Sequence, residues 1–445
     1  MDLRTPKGTH DYGPRECYLL NRFLRAVTEV FETHGAACID TPTFELRELL
    51  CNKYGDESRL IFDLADQGGD ICSLRYDLTV SFARFLAKHR VQRLKRFQIG
   101  KVFRRDQPSV SKGRLREFVQ CDLDIAGAYM EMVADAEAIC IMSECLDRVG
   151  HRYQIRISSR KILNALMEHS GIGRNNFATV CSTIDKMDRL PWADIAAELR
   201  TKGLVDGQVA VLKRYVCVSG GIEVIDTLRS GELYLYSDGK KGIDDLALLF
   251  KYLGIYGVGD RAVVDLSLAR GLDYYTGVIF EAALVDFKDV GSVAGGGRYD
   301  NLVSSVLGKK SEWSVPCVGF SLGVTRILSV MLKVDRRRTT ETEVFVGSSG
   351  GLLLEERMGV LSRLWRAGVA AETFYTRKYG YASLMEHVRK TDIPFFLLVG
   401  EKEIAENRFR LMYGEDRALQ MYGDIDTIVN FIKSHRAGQR PPAGL

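Results

Sequence analysis

The chain has 445 residues, 46% of them hydrophobic and 27% charged, with 42 glycines and 9 prolines; this ordinary globular composition excludes collagen-like, coiled-coil and disordered classes. At roughly 150 residues per domain the length predicts two to four domains. The formal net charge is +4, yet residues 84–116 carry twelve Lys or Arg against one acid, Asp106, so that segment is +11 and the remainder −7.

A local basic block in a near-neutral chain points to an anionic ligand such as a nucleotide or a nucleic acid. Its first half, 84–96, fits a solvated helix face equally well. In the second half the arginines alternate with apolar residues in strand-like stretches. No apolar run reaches the ~18 residues of a membrane span, and the opening MDLRTPKGTHDYGP lacks the apolar core of a secretory signal. The ten cysteines form no CxxC pair and mostly lie in apolar runs, and the seven histidines never pair at ligand spacing. Buried free thiols of a reducing cytosol are expected, not a disulfide framework or a structural zinc site.

In chain order, Pro14 suits the first turn of a long amphipathic helix whose apolar positions run from Leu19 to Phe31, and Gly35 caps its end. A short strand at 37–39 runs into Pro42. Residues 76–90 read as a second helix, and 96–106 with 115–125 as two strands joined by the loop QPSVSKGR. A helix at about 130–149 precedes a strand at 153–157. Between about 160 and 258 the texture changes to short polar helices, a helical insertion. Strands resume at 262–268 and 278–284 and lead into Gly295-Gly296-Gly297, and a helix follows at about 323–332. The charged stretch 333–341 is a linker. Beyond it, strands alternate with helices near 351–367, 381–390 and 425–434, as in a small α/β domain with a mostly parallel sheet.

Residues 118–125 are the most informative stretch. Val119, Cys121, Leu123 and Ile125 share one strand parity and Gln120, Asp122 and Asp124 the other, so an amide and two carboxylates line one surface. That surface is either an ordinary solvent-facing edge or a polar floor for a cationic or hydrogen-bonding small molecule. The preceding strand ends in Arg104 and Arg105, and Arg114 and Arg116 lie across the hairpin. Such guanidinium groups either form surface ion pairs or fork onto phosphate oxygens. Arg75, Asp77 and Thr79 recur at spacing two and place a carboxylate and a hydroxyl where an ammonium group could be held. In ARGLDYYTGVIFEA, Arg270 is followed by Tyr274 and Tyr275, which suit a ring-shaped ligand. Gly295–Gly297 is either a turn or a close backbone approach to a ligand. Arg326 lies on an otherwise apolar helix and needs a partner. No phosphate-binding GxxxxGK[ST] loop exists. The loose dinucleotide fingerprint at 257–262 is followed by a strand where a helix is required.

Together these pieces resemble the class II aminoacyl-tRNA synthetases, and specifically the histidyl-tRNA synthetases. PKGTHDYGP resembles that family's opening signature. The first helix, strand and Pro42 resemble motif 1, FRRDQPSVSKGRLREF resembles motif 2, and GFSLGVTRIL resembles motif 3. RGLDYYTGVIFE and AGGGRYD resemble the two segments peculiar to the histidine enzymes. QCDLDIAG, with Asp122 where many bacterial members have Gly, resembles the eukaryotic or archaeal branch.

The resemblance implies an α+β catalytic core with a mostly antiparallel sheet flanked by helices at 1–160 and 259–332. It also implies a helical insertion at 161–258, a linker at 333–341, an anticodon-binding α/β domain at 342–434 and a disordered tail at 435–445. It implies ATP-dependent ligation of L-histidine to tRNA(His) through a histidyl-adenylate, with ATP carried as its Mg2+ complex, no resident metal, a homodimer, no membrane association and a cytoplasmic location. The alternative is a synthetase-like tRNA-sensing or regulatory protein without aminoacylation activity. By position, Arg104, Arg270 and Arg326 would be catalytic. Arg104 and Arg270 would meet the α-phosphate and Arg114 the γ-phosphate, while Arg326 would stack on adenine opposite Phe118. Asp77, Thr79 and Gln120 would hold the histidine ammonium group and Arg270 its carboxylate. Asp124, Tyr274 and Tyr275 would surround the imidazole, with Tyr299 close by.

Overall fold

The computed structural model describes residues 2–51, 59–65, 68–109, 113–269, 274–308, 313–334, 339–349, 351–375, 380–414 and 417–438. Two compact units emerge, one comprising residues 1–10 and 24–330 and the other residues 11–23 and 331–445.

Helix α1, Pro14–Thr33, starts on the proline expected of it, and Glu16 accepts a hydrogen bond from the Gly13 amide at 2.7 Å. An acid there complements the positive end of the helix. Gly35, at φ +70°, ends it, where the Ala36 amide reaches back to Phe31 O at 3.0 Å. Glycine adopts this left-handed turn without a Cβ clash.

In the first unit the chain then forms β1 (Ala37–Cys38), β2 (Phe44–Leu46), α2 (Arg47–Cys51), β3 (Cys72–Leu74), α3 (Thr79–His89), β4 (Leu94–Phe103), β5 (Glu117–Ala126), α4 (Val133–Asp147) and β6 (Tyr153–Ser159). The insertion is helical, as the texture of 160–258 predicts: α5 (Arg160–His169), α6 (Phe177–Ile184), α7 (Trp192–Thr201), α8 (Asp206–Val216), α9 (Glu223–Arg229) and α10 (Ser237–Ile255), with the two-residue β7 (Ser219–Gly220). Then follow β8 (Ala262–Asp265), β9 (Val278–Leu284), β10 (Ser292–Arg298), α11 (Leu302–Leu307), β11 (Cys317–Gly323) and α12 (Val324–Val334).

Nine strands make one sheet in the order β1-β4-β5-β11-β10-β9-β6-β8-β7, and its central pairs, from β4 to β6, are antiparallel. The strands β2 and β3 form a separate ribbon. Alternation sorts the side chains of the large sheet. On one face, pairing aligns Phe97, Leu123, Phe320, Gly296, Phe280 and Ile157 into an apolar row. Phe31 of α1 packs on it, 5.3 Å from the Phe97 ring centroid and 6.2 Å from that of Phe320. Fully burying such a ring contributes ~1.5–3 kcal/mol. On the opposite face α3 and α11 pack together around Phe82, Leu86, Leu302 and Val303.

Gly295–Gly297 is strand, not turn. In the apolar row Gly296 lies between two phenylalanines, and a Cβ on it would sit 2.0 Å from Gly319 O and 2.6 Å from Phe320 Cα. The close approach the glycine permits is therefore to the neighbouring strand. Gly296→Ala is expected to cost ~1–3 kcal/mol or more through overpacking, measured as a lower unfolding midpoint. An unchanged melt would mean that β10 and β11 part there without penalty.

The second unit contains β12 (Val344–Ser348), α13 (Leu354–Arg366), β13 (Ala371–Glu372), α14 (Tyr381–Thr391), β14 (Phe395–Val399), α15 (Glu401–Ala405), β15 (Phe409–Tyr413), β16 (Leu419–Gly423) and α16 (Ile425–Gly438). Its sheet runs β13-β12-β14-β15-β16, with parallel pairs on either side of β12 and antiparallel pairs from β14 outward. The sheet is thus half parallel, which corrects the mostly parallel expectation; the hairpin β15–β16 is the part the sequence pattern did not announce. β14 is buried throughout, because α13 and α16 cover one face and α14 the other.

Candidate active site

The polar parity of β5 is not a solvent-facing edge. β5 runs through the sheet between β4 and β11, and Gln120, Asp122 and Asp124 are 8%, 1% and 2% exposed. Pairing aligns them in rows across the face opposite the phenylalanines. One row reads Arg96, Asp124, Gly319 and Gly297; the next Gln98, Asp122, Ser321, Gly295, Glu281 and Arg156; the third Gly100, Gln120 and Gly323. Glycines occupy much of the middle of this floor. A Cβ on Gly297 would lie 2.9 Å from the Tyr275 ring and one on Gly319 would lie 2.0 Å from Asp124 Oδ1, whereas the nearest atoms to one on Gly295 would be Glu281 Cβ and Phe280 O, both at 3.5 Å.

Asp124 is held from two sides. Tyr299 donates its hydroxyl hydrogen to Oδ1, and Arg96 Nη2 lies 2.6 Å from Oδ2, with both side chains shut off from solvent. Arg96 also donates from Nη2 to Leu78 O at 3.1 Å and covers the Phe82 ring at 4.5 Å. Burial pushes the Asp124 carboxyl above its ordinary range, while Arg96 and Tyr299 pull it back. Burial drives the Tyr299 hydroxyl upward, keeping it protonated as a donor. Asp122 is raised to about 7, by burial first; Arg96 opposes that and Asp124 adds to it.

Asp77 precedes α3 and accepts hydrogen bonds at Oδ1 from the Thr79 and Val80 amides, at 3.0 and 3.1 Å. It therefore caps the helix and offsets the positive helix end. The Tyr274 hydroxyl lies 3.5 Å from Asp77 Oδ2. The Tyr274 ring stands 5.1 Å from Tyr275 and 5.7 Å from Tyr299, edge on. Asp77, Thr79, Tyr274, Tyr275, Tyr299 and Asp124 thus form one continuous cluster. Gln120 adjoins it, donating to Ser321 Oγ at 2.6 Å. Arg75 does not join the ligand-facing groups: it donates to Lys101 O and Thr41 O at 2.7 and 2.8 Å, a structural role.

Arg104 follows β4, its guanidinium 4.2 Å from the Tyr76 ring and 5.3 Å from that of Phe118, with Nε donating to Tyr76 O at 3.2 Å. Arg114 is placed by paired backbone bonds with Ser109, at 2.8 and 3.0 Å. Next to it, Gly113 (φ +63°) lets the loop touch the start of α12, where a Cβ would lie 2.9 Å from Arg326 Cα. Arg326 is half-buried and donates from Nη1 to Ser292 O. Arg104, Arg114 and Arg326 are thus assembled at one end of the floor. Arg270 lies outside the described residues.

The rest of the basic block is no single patch. Arg84 pairs with Glu45, Lys95 with Glu137 and Lys101 with Glu117, and Arg96 is internal. The sequence pattern also left Arg96, Ser321 and Glu281 unassigned. Arg96, Gln98 and Gly100 alternate with Phe97 and Ile99, the same two-residue signal that marks β5. Glu281 has no such signal; it accepts from Ser292 Oγ at 2.7 Å and from Arg156 Nη1 at 2.9 Å.

A family model described as histidyl-tRNA synthetase matches residues 8–327. A protein of Encephalitozoon cuniculi named probable histidine–tRNA ligase, cytoplasmic, is 48% identical over 404 residues, covering 91% of this chain and 92% of that protein. A histidine–tRNA ligase of Danio rerio is 41% identical over 435 residues, covering 92% and 84%. The crystal structure of histidyl-tRNA synthetase from Nostoc sp. PCC 7120 superposes with a TM-score of 0.84 at 28% identity, covering 98% of this chain and 100% of that one. Sequence, fold and the buried polar floor agree: the chain belongs to the histidyl-tRNA synthetase family.

Proposed function

We propose that the protein is a class II histidine–tRNA ligase. A carboxylate oxygen of L-histidine attacks the α-phosphorus of ATP, forming histidyl-adenylate as the α–β phosphoanhydride bond breaks and pyrophosphate leaves. The terminal adenosine hydroxyl of tRNA(His) then attacks the adenylate carbonyl, forming the ester and releasing AMP. Such chemistry depends on positioning and charge stabilisation more than on a protein nucleophile. The observation that carries the reading is the juxtaposition of an acid-and-tyrosine cluster, suited to an amino acid with a ring, with an arginine group suited to phosphates.

Within it, Asp77, Thr79 and Gln120 receive the ammonium group, and Asp124, Tyr274, Tyr275 and Tyr299 frame the imidazole. Arg104 and Arg270 meet the α-phosphate, Arg270 also meets the substrate carboxylate, Arg114 meets the γ-phosphate, and Arg326 and Phe118 hold the adenine. Mg2+ enters as part of the ATP substrate. Residues 1–160 and 259–332 act as the catalytic core, 161–258 as an insertion, 333–341 as a linker and 342–434 as the anticodon-binding domain. The working form is a homodimer. In support, β1 is a terminal strand of the large sheet, and the nearby β2–β3 ribbon and its flank expose Phe44 at 53%, Leu46 at 49% and Ile71 at 67%. A cytoplasmic location follows the name of the 48% identical Encephalitozoon cuniculi protein, while other relatives are named mitochondrial.

The test is ATP–pyrophosphate exchange across the twenty amino acids, followed by charging of tRNA(His). Histidine alone should drive exchange. Exchange with another amino acid would overturn the substrate assignment. A synthetase-like sensing protein without ligase activity would support neither reaction.

A further inference from the structure

Asp122 is the buried acid of the floor to which no role is yet attached. It stands mid-strand on β5 between Gln120 and Asp124, on the same face as both. Its Oδ1 is buried and accepts no hydrogen bond, and Gln120 Oε1 beside it is likewise buried without a donor. A buried polar atom left unsatisfied has lost its water without a replacement, at greater cost if charged, so two adjacent orphaned acceptors on the floor beside the acid-and-tyrosine cluster call for a donor from a ligand. The neighbouring carboxylates already have protein partners: Asp124 meets Tyr299 and Arg96, and Asp77 Oδ1 meets two backbone amides, which leaves its Oδ2 beside Tyr274.

The groups around Asp122 are few. β4 presents Arg96 and Gln98; β5 presents Asp124 on the same face, with Cys121 behind it on the other; β11 presents Ser321, whose hydroxyl also stabilises the carboxylate; the turn before α3 presents Asp77. Farther out lie Arg75 and Asp40, the latter accepting from Gln98 Nε2 at 2.9 Å. Among the described residues, acids outnumber guanidinium groups here. A single added cation with several N–H donors reduces this excess of acids and supplies the missing bonds.

We propose that Asp122, with Gln120, recognises the α-ammonium group of the amino-acid substrate and selects against ligands that lack it. The inference rests on the histidine-ligase reading above and adds to the ammonium site a residue that reading does not use. Its carboxyl is raised to about 7 by burial, so near neutral pH the proton leaves as the ammonium group arrives. Above that pH the full negative charge meets the ligand; below it the protonated acid is a poorer acceptor and affinity falls.

The experiment is calorimetric titration of the full-length protein with L-histidine and with imidazole-propionate, which keeps the ring and carboxylate but has no ammonium group. In Asp122→Asn the histidine Kd should rise about tenfold or more, while the imidazole-propionate and ATP Kd values stay within about twofold. The ratio of variant to wild-type histidine Kd should grow between pH 6 and pH 8. Free histidine titrates identically in both experiments, so its contribution cancels in the ratio. Asp122→Ser should show the same split and serves if the asparagine variant does not fold. Equal weakening of both ligands, or unchanged histidine binding, overturns the inference. If the wild-type protein itself binds no histidine, the ligase reading falls first, and that outcome is separate from any behaviour of the variants.

Discussion

Replacing Arg104 with alanine is expected to lower histidine-dependent pyrophosphate exchange by about a hundredfold or more, the scale of losing one preorganised donor to a developing charge. Arg104 earns the largest effect among the described arginines because its orientation is set in advance. Its guanidinium is stacked on Tyr76 and Phe118, and Nε is held by Tyr76 O. Lysine at this position keeps the charge but loses the planar fork and the stacking, so Arg104→Lys should recover little. The unfolding midpoint should move by no more than a few degrees, since Arg104 is only part-buried. Exchange close to normal in a folded variant would remove Arg104 from the phosphate site.

Asp124→Ala should act first on stability. Arg96 is fully buried, and its ion-pair partner is Asp124. Removing one member of a buried pair leaves an uncompensated charge, at a cost of ~3–5 kcal/mol. Urea unfolding should therefore show a large drop in midpoint. Replacing both partners, as in Arg96→Met with Asp124→Leu, should restore much of the loss, because a well-packed apolar pair no longer has to desolvate a lone charge. The variant suited to reading ligand binding is Asp124→Asn, which keeps an oxygen for the Tyr299 hydroxyl. If Asp124→Ala melts like the wild type, Arg96 has found another counter-charge and the pair is not what holds this part of the floor.

Much of the site was legible because the strand period of two is written into the sequence. The alternation of Gln120, Asp122 and Asp124 with Cys121, Leu123 and Ile125 placed the acids on one surface, and the structure adds that β4 and β11 flank them. Asp77, Tyr274 and Tyr275 were legible as types suited to an ammonium group and a ring. Their convergence with Tyr299 is implied in the sequence only by the family resemblance, not by local pattern, and the fold is what brings the rings together. The basic block misled in part: charge counts along the chain do not show that Glu45, Glu137 and Glu117 come back to neutralise Arg84, Lys95 and Lys101.

Local pattern determined the long amphipathic α1 with its Pro14 start and Gly35 end, the apolar β9 and β14, and the helical texture of the insertion. In each case the signal lies within a few residues of the structure it specifies. Tertiary structure alone decided the rest. The hairpin β15–β16 reversed the pairing sense of half the second sheet, since strand direction depends on partners distant in sequence. The Gly295–Gly297 run became strand because Phe320 and Gly319 approach it from β11. Arg96, read from the sequence as one cation in a basic stretch, became the buried counter-charge of Asp124, because pairing of β4 with β5 sets the two directly opposite one another.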